Sequence, residues 1–301
     1  MNIQWYPGHM AKAKRKILET LKLVDIVIEI LDARIPSASR NPDIDDLARG
    51  KFRVIVLNKA DLADPDANLA WKEHFEKLGA KLIMANSVKG TGLDRIYPAA
   101  LEFMSEKIKR QKERGRIAIV MRAMVVGIPN SGKSTFINKL NGKSIAKTGD
   151  RPGVTKANQW IKVKKDFELL DTPGILWPKF EDIEAGKRLA FTGAIKDVIM
   201  DMEGLAAELV GELRQSYPDA LKSRYNVEFS DTDENYVVLE NIGKARGFLM
   251  KGQKVDLQRT SIMLLDEFRG GTLGKITLER PERIERTSEV SGLVPFGTLP
   301  K

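Results

Sequence analysis

Residues 127–134 read Gly-Ile-Pro-Asn-Ser-Gly-Lys-Ser, a spacing suited to one kind of chemistry, the holding of phosphates. The backbone N–H groups of such a turn cradle anionic oxygens, and the N-terminus of a following helix adds partial positive charge. Asn130, Ser131, Gly132, Lys133, Ser134 and the adjoining Thr135 are the candidate contacts. Lys133 is expected to reach the β- and γ-phosphates, and the Ser134 hydroxyl to ligate Mg²⁺.

Four further groups of residues could complete such a site. Asn58-Lys59-Ala60-Asp61 fits a guanine-recognition tetrapeptide. The Asp61 carboxylate would accept from the N1–H and exocyclic amine of guanine, a donor pair that adenine lacks. Lys59 would lay its methylenes over the base, and Asn58 would hold the loop. Asn86-Ser87 reads either as a second base-contacting loop or as a simple turn. Asp171-Thr172-Pro173-Gly174 supplies a carboxylate to hold Mg²⁺ through water and a glycine N–H to meet a γ-phosphate. Thr155, in a glycine-containing loop, is the candidate to close on Mg²⁺ and γ-phosphate. Four such loops in one domain read as a GTP-hydrolysing site.

These residues need strand ends to position them. An apolar run, 117–126, precedes the phosphate loop, and an amphipathic stretch, 135–140, follows it. Residues 25–32, 52–57 and 81–85 read as buried strands, the last two ending at Asn58 and Asn86. Helices are expected over 68–78 and 92–111, and a hairpin over 159–163 and 167–170. Alternating strands and helices predict an α/β fold with a mainly parallel sheet, helices on both faces. After Pro178 the strand signals fade, and 203–216, 235–248 and 255–268 read as helices, with a short strand expected over 274–279. The expected organisation is a GTPase domain with a basic N-terminal arm over 1–178, a smaller all-α domain over 179–285 and a flexible tail over 286–301.

Composition limits the partners. The chain has 301 residues, 42% hydrophobic and 30% charged, as an ordinary globular protein does. No apolar run is long enough to span a bilayer, so no membrane partner is expected. The absence of cysteine excludes disulfides and thiolate metal sites and fits a cytoplasmic location. The net charge of +9 is concentrated in 1–22, 105–116 and 142–165, which carry net +4, +4 and +6. Basic segments on a mildly acidic body predict a polyanionic partner; the bland alternative is a set of solvated faces.

The order of the motifs is unusual. A standard GTPase domain runs phosphate loop, switch threonine, Asp-x-x-Gly, Asn-Lys-x-Asp, then the last base loop. Here the two base loops come first, and 112–116 would join the old termini, a rearrangement that close surface termini permit. With Gln4-Trp5-Tyr6-Pro7-Gly8-His9-Met10, Asp32-Ala33-Arg34-Ile35-Pro36, 148–155, 171–179 and Thr192-Gly193-Ala194-Ile195, the chain resembles circularly permuted bacterial GTPases, specifically the ribosome biogenesis GTPase A family. The resemblance covers roughly residues 1–195. It implies a role in late assembly of the large (50S) ribosomal subunit, contacts with rRNA and with the subunit precursor, no DNA partner, a monomer off the ribosome, and hydrolysis stimulated by the particle. It also implies that the Asn130 side chain helps hold K⁺ beside the phosphates; the alternative is that Asn130 only shapes the loop.

Catalysis leaves one position open. Where many GTPases carry a water-orienting glutamine after Asp-x-x-Gly, this chain has Ile175 and Leu176, neither of which can orient water. His9 has two readings: an imidazole that orients the water, or an RNA-facing residue of the basic arm. Two other functions remain as alternatives, an RNA-binding assembly placeholder with a structural nucleotide and a regulatory GTPase without RNA.

Overall fold

The computed structural model describes residues 18–116, 118–143, 159–172, 183–195, 197 and 200–281. The first strand, β1 (Ile26–Asp32), is buried at every position, as a continuous apolar run in the middle of a parallel sheet should be. Its Glu29 is buried and neutralised by Arg53, 2.6 Å away on the next strand. A short helix, α1 (Asp43–Leu47), leads to β2 (Phe52–Asn58). Helix α2 (Pro65–Lys77) starts where Asp64 accepts from the N–H groups of Asp66 and Ala67 and Pro65 sets the first turn. Strand β3 (Lys81–Ala85) follows, then α3 (Ile96–Glu113), β4 (Met121–Val126) and α4 (Lys133–Asn141). The hairpin β5 (Gln159–Lys164) and β6 (Phe167–Asp171) completes a six-stranded sheet in the order β3-β2-β1-β4-β6-β5. Every pairing is parallel except β5 with β6. The expected α/β sheet is therefore present, with β1 and β4 at its centre.

Alternating residues of each strand feed opposite faces. Ile26, Ile28, Ile30, Val54, Val56, Ala123 and Val125 pack against α3 and α4 through Met104 and Phe136. Leu31, Ile55 and Leu57 meet Trp71 and Phe75 of α2 on the other face, while Val27 and Met124 meet Ile44 of α1.

The regular elements in the rest of the described chain are helices. Helices α5 (Ile183–Phe191), α6 (Met202–Ser216), α7 (Pro218–Tyr225), α8 (Asn235–Ala245) and α9 (Leu257–Gly270) enclose one apolar core. The leucine stripe of α6, Leu205, Leu209 and Leu213, lies at its centre. Helix α9 starts at an Asp256 cap and stops at Gly271, whose φ of 78° is the left-handed turn that glycine tolerates. Helices α5 and α7 are absent from the sequence reading: α7 is about two turns long and weakly amphipathic, and α5, though one face of it is apolar, spans only nine residues.

The strand expected over 274–279 does not form. The segment is irregular, with bends at Lys275 and Leu278, and it lies across loops rather than beside a sheet edge. Ile276 N–H donates to Leu62 O and Leu278 N–H to Arg34 O, while the buried Glu279 carboxylate accepts from Ser37 and Ala38 N–H. Ile35, Ala38 and Ile128 from the sheet half belong to the same core as the helices. Leaving that much apolar surface exposed would cost about 25 cal/mol per Å², so the two halves dock as one body. No described helix is long and apolar enough to cross a membrane.

Candidate nucleotide site

Parallel strands place their C-terminal ends on one edge of a sheet, and the phosphate loop, Asn58–Asp61, Asn86-Ser87 and Asp171 all lie at such ends. Asp32 pairs in register with Asn58, Asn58 with Ala85, and Val125 with Asp171. Loops remote in sequence thus meet above the same edge.

The phosphate loop begins at Gly127, where a Cβ would lie 2.5 Å from the Ile30 carbonyl oxygen. It ends at Gly132, φ 94°, where a Cβ would lie 2.3 Å from Asn58 Nδ2. The close approach of β1 and of the Asn58 side chain therefore requires both glycines. Gly132 then serves as the N-cap of α4 and aims that helix's N-terminus into the loop. Ser131 is buried, with its hydroxyl donating to Ile128 O at 2.9 Å, while Ser134 and Thr135 occupy the first turn of α4.

Asn58 is the tie that binds the base loops to the phosphate loop. Its Nδ2 donates to Ser131 O at 2.7 Å, and its Oδ1 accepts from Ser87 N–H at 3.0 Å and Ser87 Oγ at 2.7 Å. The role of Asn58 in holding the loop, expected from sequence, has this geometry. Ser87 is a buried partner of Asn58, and the backbone of Asn86 closes a turn to Thr91 and Gly90. Replacing Asn58 with alanine leaves the Ser131 carbonyl and the Ser87 N–H buried without partners. The expected loss is roughly 2–4 kcal/mol of stability. It should be read as a lower denaturant midpoint at unchanged m-value.

Lys59 sits in the left-handed region at φ 58°, and its Nζ reaches Asp32 Oδ2 at 2.9 Å. Sequence reasoning anticipated its methylenes but not this anchor, because Asp32 lies on another strand. Burial by itself would raise the Asp32 carboxyl, but the charges of Arg34 and Lys59 outweigh it and hold it well below the usual carboxylate range. Asp61 is exposed at the mouth of the same loop.

Lys133 is buried, and its Nζ donates to Ile128 O at 2.7 Å. Burial pushes the ammonium down to about 8, partly offset by the Asp171 carboxylate. Burial likewise pushes the Asp171 carboxyl up to about 6, against the pull of Lys133. Among the described residues, Asp171 Oδ1 is buried without a hydrogen-bond partner. A buried, orphaned carboxylate oxygen beside a phosphate loop fits a hydrated divalent cation, which would satisfy it. Asn130, φ 58°, donates through Nδ2 to Gly193 O at 2.6 Å, so only its Oδ1 could serve a cation. His9, Thr155 and Gly174 lie outside the described residues.

Comparison with known proteins agrees with this arrangement. A family model described as 50S ribosome-binding GTPase matches residues 122–225. Ribosome biogenesis GTPase A of Bacillus licheniformis is 51% identical over 282 residues, covering 94% of this chain and 99% of that protein. Its counterpart in Thermotoga maritima is 33% identical over 94% of this chain and 96% of that protein. The solved structure of GNP-bound YlqF from T. maritima superposes with a TM-score of 0.62 at 29% identity, covering 90% of this chain and 99% of that one. The corresponding GDP-bound structure gives 0.63 at 28% identity, over 89% and 100%. With base loops that precede the phosphate loop in the chain yet meet it at one sheet edge, and with near full-length similarity to these proteins, the chain belongs to the ribosome biogenesis GTPase A family, and it is a GTP hydrolase that acts in ribosome biogenesis.

Proposed function

We propose that this GTPase acts on a precursor of the large ribosomal subunit, gripping rRNA in its GTP state and releasing it after hydrolysis. The observation that carries the RNA reading is the meeting of two basic segments that the sequence keeps apart. Lys164 Nζ lies 3.6 Å from the ring centroid of Tyr97 on α3, and Arg122 lies over the half-exposed ring of Trp160 at 5.2 Å. Lys164 of the hairpin thus meets the first turn of α3, while the basic last turns of that helix come beside Arg122, which lines one shallow pocket with Lys107, Gln111 and Arg116 and through Trp160 joins them to the hairpin. Cations gathered around a partly exposed aromatic ring, Trp160, suit phosphates and unstacked bases. A cleft of about 670 Å³ in the helical half offers the opposite chemistry, since Glu208, Asp231, Asp233 and Glu234 line it against a single Arg214. It would repel a polyanion.

In the same reading, residues 1–178 form the permuted GTPase domain, 179–285 the helical domain and 286–301 a tail. The proposed contacts to GTP are Asn58, Lys59, Asp61, Asn86, Ser87, Asn130, Ser131, Gly132, Lys133, Ser134, Thr135 and Gly174. Ser134, Thr155 and, through water, Asp171 would hold Mg²⁺. Phosphoryl transfer asks the protein for positioning and electrostatic stabilisation rather than covalent chemistry. Bound Mg²⁺ supplies charge neutralisation at the phosphate oxygens. The N–H groups of the phosphate loop hold the β-phosphate, and Lys133 lies where negative charge builds up. Asn130 Oδ1 is the group that would face K⁺. His9 is the remaining candidate to orient the attacking water, because Ile175 and Leu176 cannot.

Co-sedimentation with large-subunit particles, together with GTP turnover in K⁺ and in Na⁺ with and without particles, tests this. Tighter association with a GTP analogue than with GDP, weakening as salt rises, is expected. Equal association in both states and no stimulation by particles would favour the placeholder with a structural nucleotide.

A further inference from the structure

The sequence Asp32-Ala33-Arg34-Ile35-Pro36 stands out in the chain, yet neither phosphate nor guanine chemistry uses it directly. Its two charged residues are among the most buried in the protein, each about 1% exposed. Arg34 grips Asp32 through two side-chain bonds, Nε to Oδ1 at 2.9 Å and Nη2 to Oδ2 at 2.8 Å, and its own N–H donates to Oδ1 at 3.1 Å. Asp32 Oδ2 also accepts from Lys59 Nζ. The remaining nitrogen of Arg34, Nη1, points the other way. It donates to the carbonyls of Phe268 at 3.3 Å and Arg269 at 3.1 Å, in the last turn of α9, and the guanidinium lies 5.3 Å from the Phe268 ring centroid.

A second connection ends at the same turn. Asn130 of the phosphate loop donates to Gly193 O, and a Cβ on Gly193 would lie 3.4 Å from Arg269 Nε. Arg269 in turn donates to the carbonyls of Phe191 and Ala190 and to the Asp197 carboxylate. The base loop and the phosphate loop are thus both tied to the C-terminal end of α9. A guanidinium there is well placed, since the last carbonyls of a helix lack intrahelical donors and carry partial negative charge.

We infer that Asp32 and Arg34 are positioning residues for guanine recognition, and that through Arg34 the same pair couples the base loop to the docking of α9. The inference rests on the proposed roles of Lys59 and Asp61 at the base. Asp32 fixes the Lys59 ammonium, which stretches its methylenes across the place where the purine would lie. Arg34 fixes Asp32, and its fork fits only while the α9 carbonyls stay in place. Coupling of this kind is reciprocal: nucleotide that orders Lys59 steadies α9, and a loosened α9 weakens discrimination at the base. Lysine cannot replace Arg34, because an ammonium lacks the planar fork that spans both partners.

The test compares binding of GDP and ADP by titration calorimetry in wild type, Asp32→Asn, Arg34→Lys and Asp61→Asn. Phosphate contacts are common to both ligands, so the GDP:ADP affinity ratio isolates the base. Asp32→Asn and Arg34→Lys are expected to lower that ratio about tenfold, the scale of one lost charge-assisted hydrogen bond. In parallel, amide exchange of the α9 C-terminal turn should slow on GDP binding in wild type and lose that protection in both variants. Should Asp32→Asn fail to fold, Arg34→Lys, which keeps the charge, carries both readouts. A ratio that falls in Asp61→Asn but stays at the wild-type value in Arg34→Lys overturns the inference and leaves the guanine site standing. No guanine preference in wild type, or none lost in Asp61→Asn, would overturn the guanine site itself.

Discussion

Replacing Lys133 with alanine is expected to lower GTP turnover by roughly 10²–10³-fold or more, the scale for removing one preorganised donor from a developing charge. The ligand-free fold should change little, with stability within about 1 kcal/mol of wild type. Two effects oppose each other there. The buried ammonium is poorly solvated, as its depressed pKa of about 8 reflects, so its removal relieves a desolvation cost. Its loss also deprives Asp171 of a countercharge, so that carboxyl would take up a proton more readily than it does now. Steady-state turnover and a denaturation curve, measured on the same protein, check both parts; turnover near the wild-type rate would remove Lys133 from the phosphates.

The same two groups give nucleotide binding a pH dependence. In the ligand-free protein Lys133 loses its proton near pH 8, while phosphates favour the ammonium. Binding therefore takes up a proton above about pH 8, and affinity falls as pH rises past that point. Asp171 carries a proton below about pH 6, whereas a cation-holding carboxylate must be ionised. Affinity for the Mg²⁺ nucleotide therefore also falls as pH drops below about 6. Titrations of GDP with Mg²⁺ between pH 5 and 9 should show a maximum between the two, and a flat profile would contradict this account of the pair.

Asp61→Asn is the second large effect, with affinity for GDP expected to fall by roughly 10²–10⁴-fold. The carboxylate is exposed at the end of a loop whose backbone is held from both sides. Ala60 N–H donates to Ala85 O at 3.1 Å and Leu62 N–H to Lys59 O at 2.9 Å. The substitution should therefore leave the fold intact and act on the ligand. An amide offers one acceptor and one donor where guanine presents two donors, so its –NH₂ would face the exocyclic amine. Xanthine carries a carbonyl at that place, and xanthosine diphosphate should recover most of the lost affinity. Competition between the two diphosphates measures this directly. Equal losses for both would mean that Asp61 does not read the base.

The site's chemistry was legible in the sequence because it depends on local, fixed spacings. The phosphate loop, Asn58–Asp61 and the Asp171 motif each announce a backbone geometry and a set of polar atoms within eight residues. Strands β1, β2 and β3 were legible too, since buried parallel strands read as nearly continuous apolar runs bounded by polar turns. Their ends were predicted to within a residue. Short α7 was not, because two turns give too few repeats to reveal a period, nor was α5, whose apolar face is confined to nine residues.

What the tertiary structure alone decided is how the halves of the molecule are joined. Nothing local in 274–279 distinguishes a strand from a strap. Its partners, Leu62 O, Arg34 O and the N–H groups of Ser37 and Ala38, are supplied by loops some two hundred residues earlier. The Asp32–Lys59 pair and the reach of Arg34 to α9 are likewise long-range, 27 and more than 230 residues apart in the chain. A charged residue in sequence shows its chemistry but not its partner. Burial makes the partner obligatory, and only the packed fold names it.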